Sequence, residues 1–170
     1  TAGAVGFSTS RTIGHRALDG SPVPGTFAPD QELSAIAQAM RKAGRGVFEM
    51  IPAGTVGKLE GLGGERTTPE AELTLMADFS RQSGRKVTFT LVQSPDYAPD
   101  TWERLLEMVV TANQTGAQLF PQVPSRPIGL ASGLSGYHAF QRRPTYMKLT
   151  HLSLAERARE MAKPEVKAAI

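Results

Sequence analysis

The spacing of apolar residues along the chain switches repeatedly between two periods. In "ELSAIAQAMRKAGRG", Leu33, Ile36, Ala37 and Met40 recur at the spacing of one helical face. Trp102, Leu105, Leu106 and Val109 do the same in "WERLLEMVVTANQTGAQ", and "ELTLMADFSRQSGRK" predicts a helix between these two. The three segments close on Gly44, Gly84 and Gly116, residues that accept the left-handed conformation ending a helix. Within three residues of each glycine a short β-like run begins: "GVFEMI", "KVTFTLV" and "AQLFPQV". A fourth such run, "AVGFS", stands near the start. Pro29, Pro69 and Pro99 fall where proline suits a first helical turn. Thr68 is a candidate N-cap, and Asp100 with Glu103 and Ser153 with Glu156 have capping-box spacing.

Strand starts near residues 4, 46, 86 and 118 recur every ~30–40 residues, the size of a βα unit. Links from helix to strand are short and uniform. Links from strand to helix run from the six residues of "SPDYAP" to the twenty of "TSRTIGHRALDGSPVPGTFA". Parallel α/β folds build their sites from the loops after strand C-termini, so the asymmetry predicts an α/β fold with parallel strands. "GLGGE" is only a loose glycine motif and does not join a strand directly to a helix, which argues against a dinucleotide site. Four βα units are therefore expected over residues 1–150 as a partial TIM barrel, with a C-terminal helical segment over 151–170. A whole (β/α)₈ barrel needs eight strands and ~250 residues, so the chain is expected to be about half of one, a central fragment beginning at Thr1 and ending inside a helix at "KPEVKAAI".

Composition narrows the function classes. The 170 residues contain no cysteine, which removes disulfides, thiol catalysis and zinc ribbons. A net charge of +3 and a pI near 9.4 come from small clusters such as Arg41-Lys42 and Arg142-Arg143, with acids nearby. No basic stretch is interleaved with aromatic residues, so no nucleic-acid partner is expected. No apolar run approaches the ~18 residues of a membrane span, and no segment resembles a signal peptide. No membrane partner is expected, and the location expected is cytoplasmic.

The polar residues that follow the first strand carry the candidate chemistry. "GFSTS" matches the start of a nucleophile elbow, but Ser10 stands at the second glycine position and a proline-rich loop replaces the required helix. Two readings follow. Ser8 is a nucleophile with His15 as its base, or the stretch is a substrate-binding mouth. In the second, Arg11 clamps a carboxylate while Ser8, Ser10 and His15 contact the ligand. His15, His138 and His151 have no metal-ligand spacing. His138 follows "GLASGLSGY" and is placed near the mouth, and His151 at a helix entrance. Glu49 is a lone carboxylate in the apolar run "GVFEMI", either facing a barrel lumen as a catalytic or metal-binding group or paired structurally. Gln93 and Gln122, at the ends of the next two strands, belong to the same rim.

Several spaced segments resemble the amidohydrolase superfamily, in its N-acyl-D-amino-acid deacylase (D-aminoacylase-like) branch. They are "GAVGFSTSRT", "VPGTFA", "GRGVFEM", "PQVPSRPIGL" and "HAFQRRPTYMKLTHLSLAERARE", spread over nearly the whole chain. The resemblance implies a metal-dependent (β/α)₈ barrel, usually with zinc. It would hydrolyse the non-peptide amide bond of an N-acyl amino acid or a related amide through a metal-bound hydroxide. It also implies that Ser8, Thr9, Ser10 and Arg11 belong to the active-site face. Metal-dependent members place a histidine at the end of each of the next two strands. Here those ends read Glu49-Met50-Ile51-Pro52 and Val92-Gln93-Ser94. Glu49 is then the possible replacement ligand, and the fragment alone is expected to be inactive. Exposed strand edges imply self-association or pairing with the missing half-barrel. Two other classes remain open: a metal-independent barrel enzyme using Ser8 and His15, and a non-catalytic module that binds a carboxylate through Arg11.

Overall fold

A computed structural model describes residues 3–59, 64, 67–127, 132–136 and 138–170. The elements in order are β1 (Gly6–Ser10), α1 (Asp30–Ala43), β2 (Val47–Ile51), α2 (Pro69–Ser83), β3 (Lys86–Thr90), α3 (Thr101–Gln114) and β4 (Leu119–Gln122). Three short helices follow: α4 (Pro144–Met147), α5 (Leu154–Met161) and α6 (Pro164–Ala169). The fold is α/β, with strands and helices alternating as far as β4.

All four strands are parallel and lie in chain order, β1-β2-β3-β4. Parallel crossovers are right-handed, so a sheet that adds each strand on the same side collects its helices on one face. The burial pattern agrees. In β2 and β3, residues alternate between buried and half-exposed, with Phe48, Met50, Val87 and Phe89 under the helices. Leu33, Ala37 and Met40 of α1, Leu73, Met76 and Phe79 of α2, and Leu105 and Val109 of α3 complete this core. The Phe48 and Phe79 rings stack with centroids 3.9 Å apart. Close approach of β1 to β2 requires Gly6, where a Cβ would fall 2.0 Å from the Val47 carbonyl oxygen.

Helix ends follow local chemistry in part, and α3 closes on Thr115, one residue before Gly116. Gly44 and Gly84 take the left-handed conformation after α1 and α2 (φ 67° and 63°), and Thr68 caps α2 by accepting from the Ala71 N–H. Pro29, however, is the N-cap of α1 and lies just outside it, and α3 starts at Thr101, beyond Pro99. Asp100 makes no side-chain cap at α3, so the box expected with Glu103 does not form. Ser153 and Glu156 do form theirs at the start of α5.

Among the described residues no long helix follows β4, so the sheet layer is three βα units and a fourth strand. Helical turns resume at residue 144, ahead of the expected boundary at 151. This C-terminal segment is organised around Tyr146, which is buried to 2% exposure. Arg157 donates to the Tyr146 hydroxyl (2.8 Å) and to the carbonyls of Thr150 and Leu152. Arg142 pins the segment to the β3–α3 loop by a bidentate pairing with Asp96. No helix among the described residues is long and apolar enough to cross a membrane.

Candidate functional site

The sheet face away from the helices carries the candidate chemistry. Strand register places Ser8, Glu49, Thr88 and Phe120 side by side in one row, and Ser10, Ile51, Thr90 and Gln122 in the next. The first row lies at mid-strand and the second at the C-terminal ends of the strands, where parallel α/β proteins assemble their sites. Alternation within β2 and β3 sends Phe48, Met50, Val87 and Phe89 to the helices and leaves Glu49, Thr88 and Thr90 on the open face, with Ile51 and Phe120 beside them.

Glu49 is half-buried, and its carboxylate accepts a hydrogen bond from the Ser8 hydroxyl on the neighbouring strand. Thr88 flanks it from the other side and donates to the Phe120 carbonyl (3.2 Å). Two residues along β1, the Ser10 Oγ lies 2.8 Å from Nδ1 of His15, a residue of the following loop. The site thus holds two hydroxyl pairs on one strand, one with a carboxylate and one with an imidazole. A carboxylate in this setting can accept a proton from water, and the Ser10–His15 pair can hold or relay one. The pairing differs from the sequence reading, in which His15 served Ser8.

Arg11 also has a different place from the one expected. Its Nε donates to both carboxylate oxygens of Glu72 (3.1 and 2.9 Å), and one terminal nitrogen donates to the Ala28 carbonyl (2.6 Å). The side chains of Arg11 and Glu72 are 13% and 1% exposed. Glu72 further accepts from the Ala53 N–H (3.2 Å), so the pair ties β1, the first turn of α2 and the loop after β2 together. The carboxylate that Arg11 clamps is the chain's own, which removes the basis for a binding module centred on it.

The remaining candidates are dispersed. Gln93 is exposed beyond β3 and donates to the Pro99 carbonyl (3.4 Å), while Gln122 is exposed on β4. His138 is buried at 5% exposure, edge-on to the Tyr146 ring (4.6 Å between centroids), and its Nδ1 accepts from the Phe140 N–H. Burial, and then the nearby Arg157 charge, push its pKa below the usual imidazole value. His151 is exposed just before α5. Sequence reasoning missed Thr88 and Thr90, although the alternation in "KVTFT" sets both opposite Val87 and Phe89.

The donor set does not by itself fit zinc. Among the described residues no three histidine, aspartate or glutamate side chains converge, and Glu49 offers a single carboxylate on the open face. Comparison with protein-family models, curated proteins and solved structures gave no match.

Proposed function

We propose that this chain forms one half of a (β/α)₈ barrel hydrolase that cleaves the amide C–N bond of N-acyl amino acids or related amides. The sheet face away from α1–α3 carries the reading: it holds a carboxylate at mid-strand, set between two hydroxyls. A singly wound parallel sheet curves toward closure, and eight strands close it. Four further strands, from the same polypeptide or from a second copy, would turn this face into a lumen.

In this reading Glu49 takes a proton from the attacking water as the oxygen adds to the acyl carbon. The same proton then passes to the amide nitrogen as the C–N bond breaks, so the amine leaves neutral and the carboxylate is restored. Ser8 holds Glu49 in place, and Thr88, Thr90 and Ser10 offer hydrogen bonds to the substrate. No step is routed through zinc, because its ligands would have to come from beyond the described residues.

Amine release from a panel of N-acetyl D- and L-amino acids by the full-length polypeptide tests the proposal. Turnover of at least one substrate is expected, and a complete lack of release across the panel would overturn it. The Ser10–His15 contact favours a second reading, a serine route with Ser10 as the nucleophile. Turnover by Ser10→Ala at the wild-type rate would remove that reading and leave the first intact.

A further inference from the structure

On the helix side of the sheet, a crevice opens between the first turns of α2 and α3 and the loops after β2 and β3. It meets the polar open face only at its β3 end, where Thr90 and Gln93 belong to its lining. Phe89 points into it from the buried side of β3, Leu73 borders it from α2, and Trp102 and Leu105 border it from α3. Its free volume is about 40 Å³. That is room for about three waters, the bulk of one small ring or a short branched chain.

We propose that this crevice is a binding site for a small neutral molecule with one apolar ring or branched chain and one hydrogen-bonding group. Charge decides the ligand class: no described lining residue is ionisable as a carboxylate, amine, guanidinium or imidazole. A charged ligand would be desolvated without a partner, at a cost of several kcal/mol. Polarity decides the second group. Thr55, Thr90, Ser94, Tyr97 and Thr101 bring hydroxyls and Gln93 an amide to a largely apolar wall, and each of these groups can both donate and accept. An apolar pocket with a few convergent polar groups is the usual form of a small-molecule site. The site stands independently of the hydrolase reading.

Trp102 is the chain's single tryptophan and borders the crevice, so its emission reports occupancy directly. Benzyl alcohol is the probe and benzoate its charged counterpart, titrated against the 170-residue protein. The expected result is a saturable emission change with benzyl alcohol and binding of benzoate weaker by roughly tenfold or more. Ala98→Phe, a substitution at an exposed lining residue, is expected to abolish saturation while leaving the circular dichroism spectrum unchanged. A rise in melting temperature with benzyl alcohol, present in the wild type and lost in Ala98→Phe, is the parallel readout. Non-saturating quenching that is the same in both proteins, or benzoate binding as tight as the alcohol, would overturn the proposal.

Discussion

The Glu72 carboxylate reaches the interior with a complete set of partners, Arg11 from one side and the Ala53 N–H from another. Removing one member of such a pair leaves an uncompensated buried charge, and Arg11→Met is predicted to cost about 3–5 kcal/mol. Urea unfolding checks this, and a midpoint unchanged from the wild type would contradict it. Nothing in the sequence linked the two residues. Glu72 reads there as an ordinary acid in a helix's first turn, and Arg11 as one of many polar residues after a strand. Their pairing depends on how α2 lies against the end of β1, which local pattern does not encode. Ser8 was legible as part of the mouth and Glu49 as part of the rim, but not as a bonded pair, because that contact needs the inter-strand register. His138 makes a further prediction. Its folded pKa lies below the ordinary 6.5, so the unfolded chain binds the extra proton first as pH falls. Stability is therefore fully present above about pH 6.5 and declines below it, toward the lowered folded pKa. His138→Phe is expected to flatten that decline below pH 6.5 in thermal melts. An unaltered pH profile would contradict the assignment.

Helices α1 to α3 were readable because several local signals agreed: apolar period, glycine stops and short returns to strand. Their starts were less so. Proline tolerates the first turn but is equally at home just outside it, and Pro29 and Pro99 took the outer position. In the C-terminal segment, helix within 151–170 and the Ser153–Glu156 box were legible, but its packing was not, since that comes from Tyr146, Arg157 and the Asp96–Arg142 tie. Asp96 also accepts from the Lys58 N–H (2.9 Å), and Gly57 makes room for it, since a Cβ there would fall 2.2 Å from Oδ2. The Arg142 hydrogen bonds hold the Asp96 pKa below the ordinary carboxylate value. The tie is thus present above about pH 3.8 and lost as acid protonates Asp96. At neutral pH, Asp96→Asn is predicted to speed hydrogen exchange across residues 138–147 while the sheet keeps its protection. Equal exchange in both proteins would show that the tie does not hold the segment.

Taken together, the four strands have one covered face and one open face. The open face is polar where Glu49 sits, yet Val47 and Phe120 are exposed on it, and Phe7 and Val123 are exposed at the outer strands. Among the described residues β1 and β4 each have an unpaired outer edge, which with partly apolar flanks predicts association, so light scattering should give a mass above the 18.2 kDa of one chain. A stable monomer at high concentration would contradict closure by a second copy. The parallel class was legible from loop lengths, whereas the number of strands needed to close the sheet is a property of the assembly. The central claim is that the open face does chemistry through Glu49. The measurement that tests it most directly is steady-state amide hydrolysis by Glu49→Gln beside the wild type, in the full-length polypeptide. The account predicts a fall in kcat of roughly 100-fold or more with KM little changed, as loss of a proton acceptor requires. Wild-type kcat in Glu49→Gln would contradict it.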